Sequence, residues 1–263
     1  MIDFFLLLVI GLSLGSFATA LVWRVPRGIS WIFSGGNDTA AARSCCTTCH
    51  ATLRLFDLVP LFSWLVQRGR CRHCGAPIPW RYPLVELLVL AGVIGIYAVY
   101  GFSYAGMAAM AAVPFLVALL AIDIEHMILP DQLTLICGIM GLIFIFVSAP
   151  PGGLMPVFAW HVLAALIYSG IIWLAGLITK MALKKEALGL GDVKFMIVAG
   201  LWLGMSSVSS FFILSGIMGI LWGAGWRMFK KSPVFPFGPA LILTFYVCLL
   251  AQKPGFFAIF PVY

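Results

Sequence analysis

The chain has 263 residues, of which 63% are hydrophobic and only 10% are charged, against roughly 25% charged in an ordinary soluble domain. This composition excludes a soluble globular fold. The formal net charge of +7 lies in short segments between long apolar stretches, a topology signal that gives no support to a nucleic-acid-binding surface. Together these features predict an all-α polytopic membrane protein.

Eight apolar segments are candidates to cross the bilayer core, which takes about 20 residues of helix. The sequence predicts about eight transmembrane helices, at residues 3–23, 83–101, 106–123, 131–148, 158–180, 192–204, 207–228 and 237–252. The segment 192–204 is short, so it must be tilted or shielded by its neighbours. The first segment is predicted to stay as an uncleaved helix, because Arg24 and Arg27 follow its apolar run, whereas the charges of a signal peptide precede it.

The basic residues predict how the chain is oriented in the membrane. Most of them form three groups: one between the first two predicted helices, one at residues 180–194 and one at residues 227–231. With eight helices all three groups fall on one side, and the positive-inside rule makes that side the cytoplasm. Both termini, Met1 and Tyr263, are then expected outside the cytoplasm.

The polar segment 24–82 contains a pattern typical of a zinc site. Cys46-Thr47-Thr48-Cys49 and Cys71-Arg72-His73-Cys74 are two CxxC motifs separated by 21 residues. Each CxxC turn directs two thiolates at one ion, so the two turns supply the four ligands of a tetrahedral zinc. Four protein ligands leave no open position, which predicts a structural ion in a small zinc-ribbon-like domain.

The cysteine pattern leaves some choices open. Two disulfides or a redox pair would use the same residues, although disulfides seldom persist in the cytoplasm. Cys45 stands beside Cys46, and either can be the ligand. His50 and His73 are expected to be exposed or to lie next to the ligands without binding the ion.

Two aspartates lie at the ends of apolar segments, where a carboxylate is energetically unfavourable. Asp123 ends the third predicted helix and Asp192 begins the sixth, so both are expected at the cytoplasmic boundary. Aspartate at a helix centre costs roughly 2.5–3.5 kcal/mol, so it normally faces a cavity or a partner. Two carboxylates that share a site can divide acid and base roles, which suggests a membrane aspartyl peptidase. Helix capping or a structural ion pair is the alternative interpretation.

The segment from Gly189 to Lys194 supplies further candidates around the second aspartate. Gly189 and Gly191 would let the backbone turn tightly and approach a substrate strand. Lys194 would either lower the pKa of a neighbouring group or anchor its helix at the lipid headgroups. Asp131 stands at a predicted helix start, which favours a capping role.

Glu86 is a further carboxylate at the edge of an apolar segment. It lies just inside the second predicted helix and close to Arg81. An ion pair with that arginine and a functional role for Glu86 are both compatible with this position.

These motifs, in this order, resemble the type IV prepilin peptidases, the bifunctional leader peptidases and N-methyltransferases of pilus and type II secretion systems. The resemblance runs over most of the chain. Its elements are Gly15-Ser16-Phe17, Arg24-Val25-Pro26, residues 57–65, residues 68–74, residues 81–86, Asp123 with Leu129-Pro130-Asp131, residues 189–194 and Pro236-Phe237-Gly238-Pro239.

The resemblance implies that Asp123 and Asp192 are the catalytic pair of a GxGD membrane aspartyl protease. It also implies that the metal ligands are Cys46, Cys49, Cys71 and Cys74. The implied substrate is a prepilin or pseudopilin with a short basic leader, cleaved after the glycine that ends the leader. The new N-terminus would then be methylated from S-adenosylmethionine. The sequence has no Gly-rich Rossmann fingerprint, so methyl transfer follows from the resemblance alone.

The expected organisation has three parts: a first transmembrane helix at 1–23, a cytoplasmic four-cysteine zinc-binding domain at 24–82 and a membrane-embedded aspartyl peptidase domain at 83–263. The expected location is the bacterial cytoplasmic (inner) membrane, with the active site facing the cytoplasm and with membrane lipids as further contacts. The alternative is a non-enzymatic transporter or assembly scaffold. Its aspartates would bind ions or protons, and its zinc-binding loop would dock a partner.

Overall fold

The computed structural model describes residues 2–31, 44–184, 189–232 and 234–252, so the two terminal residues whose side of the membrane was predicted lie outside it. Within the described residues the long elements are all helices, and β-structure is limited to two isolated bridges. The eight described helices of 14 residues or more are α1 (Ile2–Arg24), α2 (Arg81–Tyr100), α3 (Tyr104–His126), α4 (Asp131–Ser148), α5 (Leu154–Leu183), α6 (Leu190–Leu203), α7 (Val208–Lys230) and α8 (Gly238–Ala251).

Each of these helices overlaps one of the eight predicted segments, and the all-α polytopic class is confirmed. Six of them, α1 to α5 and α7, are long and apolar enough to cross a membrane. The helices α6 and α8 have 14 residues each, about 21 Å of helix, which is shorter than a bilayer core of roughly 30 Å. Their large side chains Phe195, Trp202 and Phe245 are buried, so neighbouring helices shield both short elements as expected for 192–204.

The described residues form two compact units. The first unit comprises the described parts of Met1–Ile94 together with Val113–Ala118, and the second comprises Gly95–Ala112 with the described parts of Leu119–Tyr263. The four cysteines therefore belong to the first unit, and both aspartates belong to the second.

In the first unit, α1 packs closely on the first half of α2 through two glycines spaced four residues apart. A Cβ added to Gly11 would lie 2.7 Å from Cδ1 of Leu90, and one added to Gly15 would lie 2.9 Å from Cα of Glu86. Small residues at this spacing let two membrane helices bring their backbones together. The close approach fixes Glu86 against α1.

The loop between α1 and α2 is held by one buried carboxylate. Asp57 has a side chain that is only 4% exposed, and it forms an ion pair with Arg72 at 3.2 Å. It also accepts hydrogen bonds from the backbone N–H of Arg54 at 3.0 Å and from Nε2 of Gln67 at 2.9 Å. A buried carboxylate is tolerated when it is paired and hydrogen-bonded, and here those partners tie distant parts of the loop together.

In the second unit, α6 lies against α5 and α4, and small residues again set the spacing. Gly200 approaches Ala165 so closely that an added Cβ would overlap the backbone of α5. Gly141 of α4 receives the indole of Trp202, whose Nε1 donates to the carbonyl oxygen of Cys137 at 2.8 Å. These contacts determine where α6 begins relative to the ends of its neighbours, and α6 carries Asp192 in its first turn.

Candidate active site and metal centre

The four predicted zinc ligands come together in the first unit. The sulfur atoms of Cys46, Cys49, Cys71 and Cys74 all lie within 4.8 Å of one another, and those of Cys46 and Cys74 are 3.9 Å apart. Zinc–sulfur bonds of about 2.3 Å in a tetrahedron put the sulfurs roughly 3.8 Å apart. The donor set and its dimensions therefore fit a structural zinc ion.

The same backbone turn is used twice to build this cluster. The first cysteine of each CxxC motif donates its N–H to the carbonyl five residues later and accepts the N–H of the residue four positions later, at 2.8–3.0 Å. The bonded residues are Cys46 with Ala51 and His50 in one turn, and Cys71 with Ala76 and Gly75 in the other. The residue directly after each motif has a left-handed backbone, with φ of 55° at His50 and 71° at Gly75. Each motif therefore folds back through local bonds alone.

The thiols of the cluster change one another's pKa through hydrogen bonds. Backbone N–H groups of Cys49 and Thr48 lower the pKa of Cys46 to about 6, which favours the thiolate that binds a metal. The backbone of Ala76 acts to lower the pKa of Cys74, but desolvation and the neighbouring thiols together raise it to about 11. A metal ion binds the deprotonated thiolate, so a bound zinc would displace the protons that the four sulfurs otherwise share.

The geometry selects Cys46 from the two adjacent candidates. Cys45 is outside the cluster, and its backbone instead forms an isolated β-bridge with Thr52. His50 and His73 are exposed and are not members of the cluster either. The two histidines therefore lie where the sequence predicted them.

In the second unit, Asp123 is held at the meeting point of two helix ends. It lies in the last turn of α3, which stops where Met127 takes a left-handed φ of 56° and donates its N–H to the Asp123 carbonyl. The side chain is 5% exposed, and its Oδ2 accepts the backbone N–H of Gly238 at 2.9 Å. Gly238 is the first residue of α8, so the carboxylate faces the positive end of that helix dipole.

Asp192 lies in the first turn of α6, next to Gly191, which contacts the same leucine as Gly238 does. A Cβ added to Gly191 would lie 3.1 Å from Cβ of Leu129, and one added to Gly238 would lie 3.2 Å from its Cδ2. Leu129 therefore contacts both segments that carry or hold the aspartates. The two carboxylates are close enough for the charge of Asp123 to act on Asp192. The fold thus brings the predicted pair into one site.

The other predicted residues have identifiable contacts near this site. Gly189 precedes α6 with an extended backbone, and the Oδ2 of Asp192 lies 3.3 Å from the position of its absent Cβ. Neither Gly189 nor Gly191 has a positive φ, so close contact with neighbours accounts for them better than a tight turn. Lys194 forms a bidentate ion pair with Asp131, at 2.7 and 2.8 Å. That pair joins the first residue of α4 to the second turn of α6. The expected capping role of Asp131 was wrong, because Pro130 is the N-cap residue of α4 and no side chain caps that helix.

Sequence reasoning assigned no role to two residues that organise the aspartates. Gly238 supplies the hydrogen bond to Asp123, and Leu129 contacts both Gly191 and Gly238. The available signal for Gly238 was a glycine directly before a proline at a predicted helix start. Leu129 belongs to the Leu129-Pro130-Asp131 motif of the resemblance, but an apolar residue before a proline did not indicate its contact with both segments.

Two family profiles match the chain. The profile described as "Bacterial Peptidase A24 N-terminal domain" covers residues 9–100, and "Type IV leader peptidase family" covers residues 110–224. No solved structure matches the chain significantly.

Curated relatives match over nearly the whole chain. "Type 4 prepilin-like proteins leader peptide-processing enzyme" of Escherichia coli O78:H11 is 33% identical, over 89% of this chain and 88% of its own length. "Prepilin leader peptidase/N-methyltransferase" of Aeromonas hydrophila is 32% identical, over 94% and 90%. The protein of the same name from Neisseria gonorrhoeae is 31% identical, over 93% and 89%.

The helical fold and the matched profiles define the class of protein as a multi-pass membrane peptidase. The chain belongs to the type IV leader peptidase family, because the relatives exceed 30% identity over most of both sequences. The predicted family and the prediction of an enzyme are both confirmed. Family membership also rules out the alternative of a non-enzymatic transporter or scaffold.

Proposed function

We propose that this protein cleaves the short basic leader from type IV prepilins or type II secretion pseudopilins and then N-methylates the new N-terminus. The names of its relatives support prepilins as substrates and both activities, and the pseudopilins follow from the family resemblance. The observation that carries the peptidase assignment is the proximity of Asp123 and Asp192, whose segments both contact Leu129, with Asp123 anchored by the N–H of Gly238.

The proposed hydrolysis uses the aspartates as one acid and one base. The ionised carboxylate takes a proton from water while the oxygen of that water attacks the scissile carbonyl carbon. The protonated carboxyl group donates a hydrogen bond to the carbonyl oxygen and so stabilises its developing negative charge. A proton then passes to the departing amide nitrogen as the C–N bond breaks. The N–H of Gly238 occupies one oxygen of Asp123, which leaves the other oxygen free for water or substrate.

We propose that this chemistry faces the cytoplasm at the bacterial inner membrane. The support is the basic segments of the sequence, which fall on one side if all eight helices cross, with both termini outside. The aspartates are at the ends of their helices on that same predicted side. The exposed apolar side chains of the six long helices would contact membrane lipids.

We assign structural zinc to the four-cysteine cluster and S-adenosylmethionine to the methyl-transfer activity. The four thiolates leave no open coordination position, so the ion holds the loop and takes no part in hydrolysis. When bound, S-adenosylmethionine supplies an electrophilic methyl group for the new N-terminal amine.

A purified-protein assay tests the proposal directly. Protein in detergent is mixed with a short-leader prepilin, and the mass of the product gives the cut site and any added methyl group together. We expect cleavage after the glycine that ends the leader, one added methyl group when S-adenosylmethionine is present, and no cleavage by Asp192→Ala. A precursor left whole by the wild-type protein would overturn the proposed function. Normal cleavage by Asp192→Ala would overturn the aspartate assignment alone.

A further inference from the structure

A cavity of about 230 Å³ lies in the first unit, between the end of α1, the start of α2 and the cysteine-rich loop. Its volume is close to the lower end of the roughly 300–1,000 Å³ that small-molecule sites occupy. The lining combines aromatic rings with charged groups, which is the mixture that such sites use to bind and orient a ligand.

The charges around the cavity divide into a satisfied pair and a free carboxylate. Asp57 and Arg72 neutralise each other at 3.2 Å. Glu86 is only 9% exposed, and among the described residues its single hydrogen-bond donor is the N–H of Leu61, at 2.8 Å to Oε2. A buried carboxylate normally has a cationic partner because desolvation of the charge is costly. The cavity therefore presents a negative group that a ligand cation would match.

The opposite charge is also available in the same cavity. Arg24 ends α1 and lines the cavity, and its guanidinium has no hydrogen-bond or ion-pair partner within the part of the chain that the structure describes. A simple cation would match Glu86 alone, and a simple anion would match Arg24 alone. The pair favours a ligand that carries both charges.

Aromatic side chains give the cavity flat walls. Trp23, Trp64 and Tyr82 all line it. Trp64 is held in place, because its Nε1 donates to the Ile78 carbonyl at 3.2 Å and its ring lies 4.3 Å from the ring of Trp80. Rings of this kind stack on nucleic-acid bases, each of which presents a flat π-face. The walls therefore fit a ligand with a planar heterocycle.

We propose that this cavity binds S-adenosylmethionine, with Glu86 facing the sulfonium cation, Arg24 facing the carboxylate and the aromatic walls holding the adenine. The inference rests on the proposed N-methyl transfer and names the site of its donor. In that transfer the C–S bond breaks with its electron pair on sulfur, a C–N bond forms and the amine loses a proton. A zwitterionic phospholipid headgroup would match the two charges, but it has no planar ring for the walls.

The test measures equilibrium binding of two ligands that differ in one charge. S-adenosylhomocysteine lacks the methyl group and the sulfonium charge, but keeps the adenine and the carboxylate. We expect Glu86→Gln to weaken S-adenosylmethionine binding by about 30-fold or more, as for a truncated buried charge pair, and S-adenosylhomocysteine binding by less than about threefold. Arg24→Gln should weaken both ligands by a similar factor, because both carry the carboxylate.

The variants are chosen so that loss of folding is recognisable. Glutamine keeps an oxygen that can accept the N–H of Leu61, and Asp3→Asn is a matched change on an exposed residue outside the cavity. All variants should retain zinc and leader cleavage. Equal loss of both ligands in Glu86→Gln would overturn the sulfonium contact, and unchanged binding in both variants would overturn the cavity assignment. Binding of phosphatidylethanolamine in place of either nucleoside would overturn it as well.

The outcomes also separate this inference from the proposed function. If the wild-type protein methylates its product while Glu86→Gln and Arg24→Gln both bind the donor normally, only the cavity assignment fails. If the wild-type protein neither binds the donor nor methylates its product, the proposed methyl transfer fails with it.

Discussion

The cysteine cluster and the aspartate pair are built in opposite ways. The cysteines are gathered by two local turns, each with hydrogen bonds that span only five residues. The aspartates come from α3 and α6, and a residue at the start of a third helix, α8, holds one of them. The cysteine cluster can be predicted from a short sequence motif and disrupted by a substitution within it, whereas the aspartate pair depends on packing among helices far apart in the chain. The two regions should therefore fail separately and for different reasons.

The largest expected effect separates the two regions by chemistry. Asp123→Asn and Asp192→Asn each remove an ionisable group while keeping its size, and we expect leader cleavage to fall by about 10²- to 10⁴-fold or more. Bound zinc should stay at the wild-type level, because the cysteines belong to the other unit. Cleavage rates and metal content on the same preparations check this. The matched control is Asp131→Asn, which should cleave at a rate within about fivefold of the wild type.

The second prediction concerns the cysteine cluster. Cys71→Ser removes one of four sulfur ligands, so we expect metal analysis to show loss of nearly all the bound zinc. Cys45→Ser is the control, since Cys45 neighbours the cluster without belonging to it and should keep the zinc. Loss of zinc from the Cys45 variant, with zinc retained by Cys46→Ser, would reverse the choice between the adjacent cysteines.

The third prediction tests whether packing at α8 controls the aspartates. A Cβ on Gly238 would lie 2.6 Å from Oδ2 of Asp123, so Gly238→Ala must displace the carboxylate. We expect cleavage to fall about 10²-fold, as misplacement of a catalytic group by 1 Å can cost. Gly216→Ala on α7 is the control, because nothing lies within 4 Å of the added Cβ. Unchanged cleavage in both variants would mean that Asp123 needs no fixed position.

Much of the fold followed from the sequence because apolar segments of bilayer length have few alternatives. Within the described residues, all eight helices of 14 residues or more were predicted. Their bounds differ most for α5, which spans residues 154–183 instead of 158–180. The spacing of the CxxC motifs predicted the cluster, but not which of two adjacent cysteines would join it. That choice depends on the backbone direction set by the bridge between Cys45 and Thr52.

The aspartate site was only partly predictable because its contacts are tertiary. The positions of Asp123 and Asp192 at helix ends could be expected from the apolar segments. The hydrogen bond from Gly238 and the contacts of Leu129 join residues that no local pattern connects. The contact of Glu86 is tertiary as well. Its nearness in sequence to Arg81 suggested an ion pair, whereas in the structure Glu86 accepts a hydrogen bond from the N–H of Leu61.

The smallest expected effect belongs to Lys194, the charged residue nearest Asp192 in sequence. Its ion pair with Asp131 is bidentate, but the side chains are 50% and 71% exposed. Exposed pairs contribute about 0–1 kcal/mol, so Lys194→Met should slow cleavage by less than about fivefold, and added salt should reduce the difference. If Lys194 acts only through this pair, Asp131→Asn should have the same effect, and the double variant should be no slower than either single variant. A loss above 100-fold for Lys194→Met alone would mean that the lysine contacts the substrate. It would then join the aspartates as a functional group, and the second unit would depend on local charge as well as on packing.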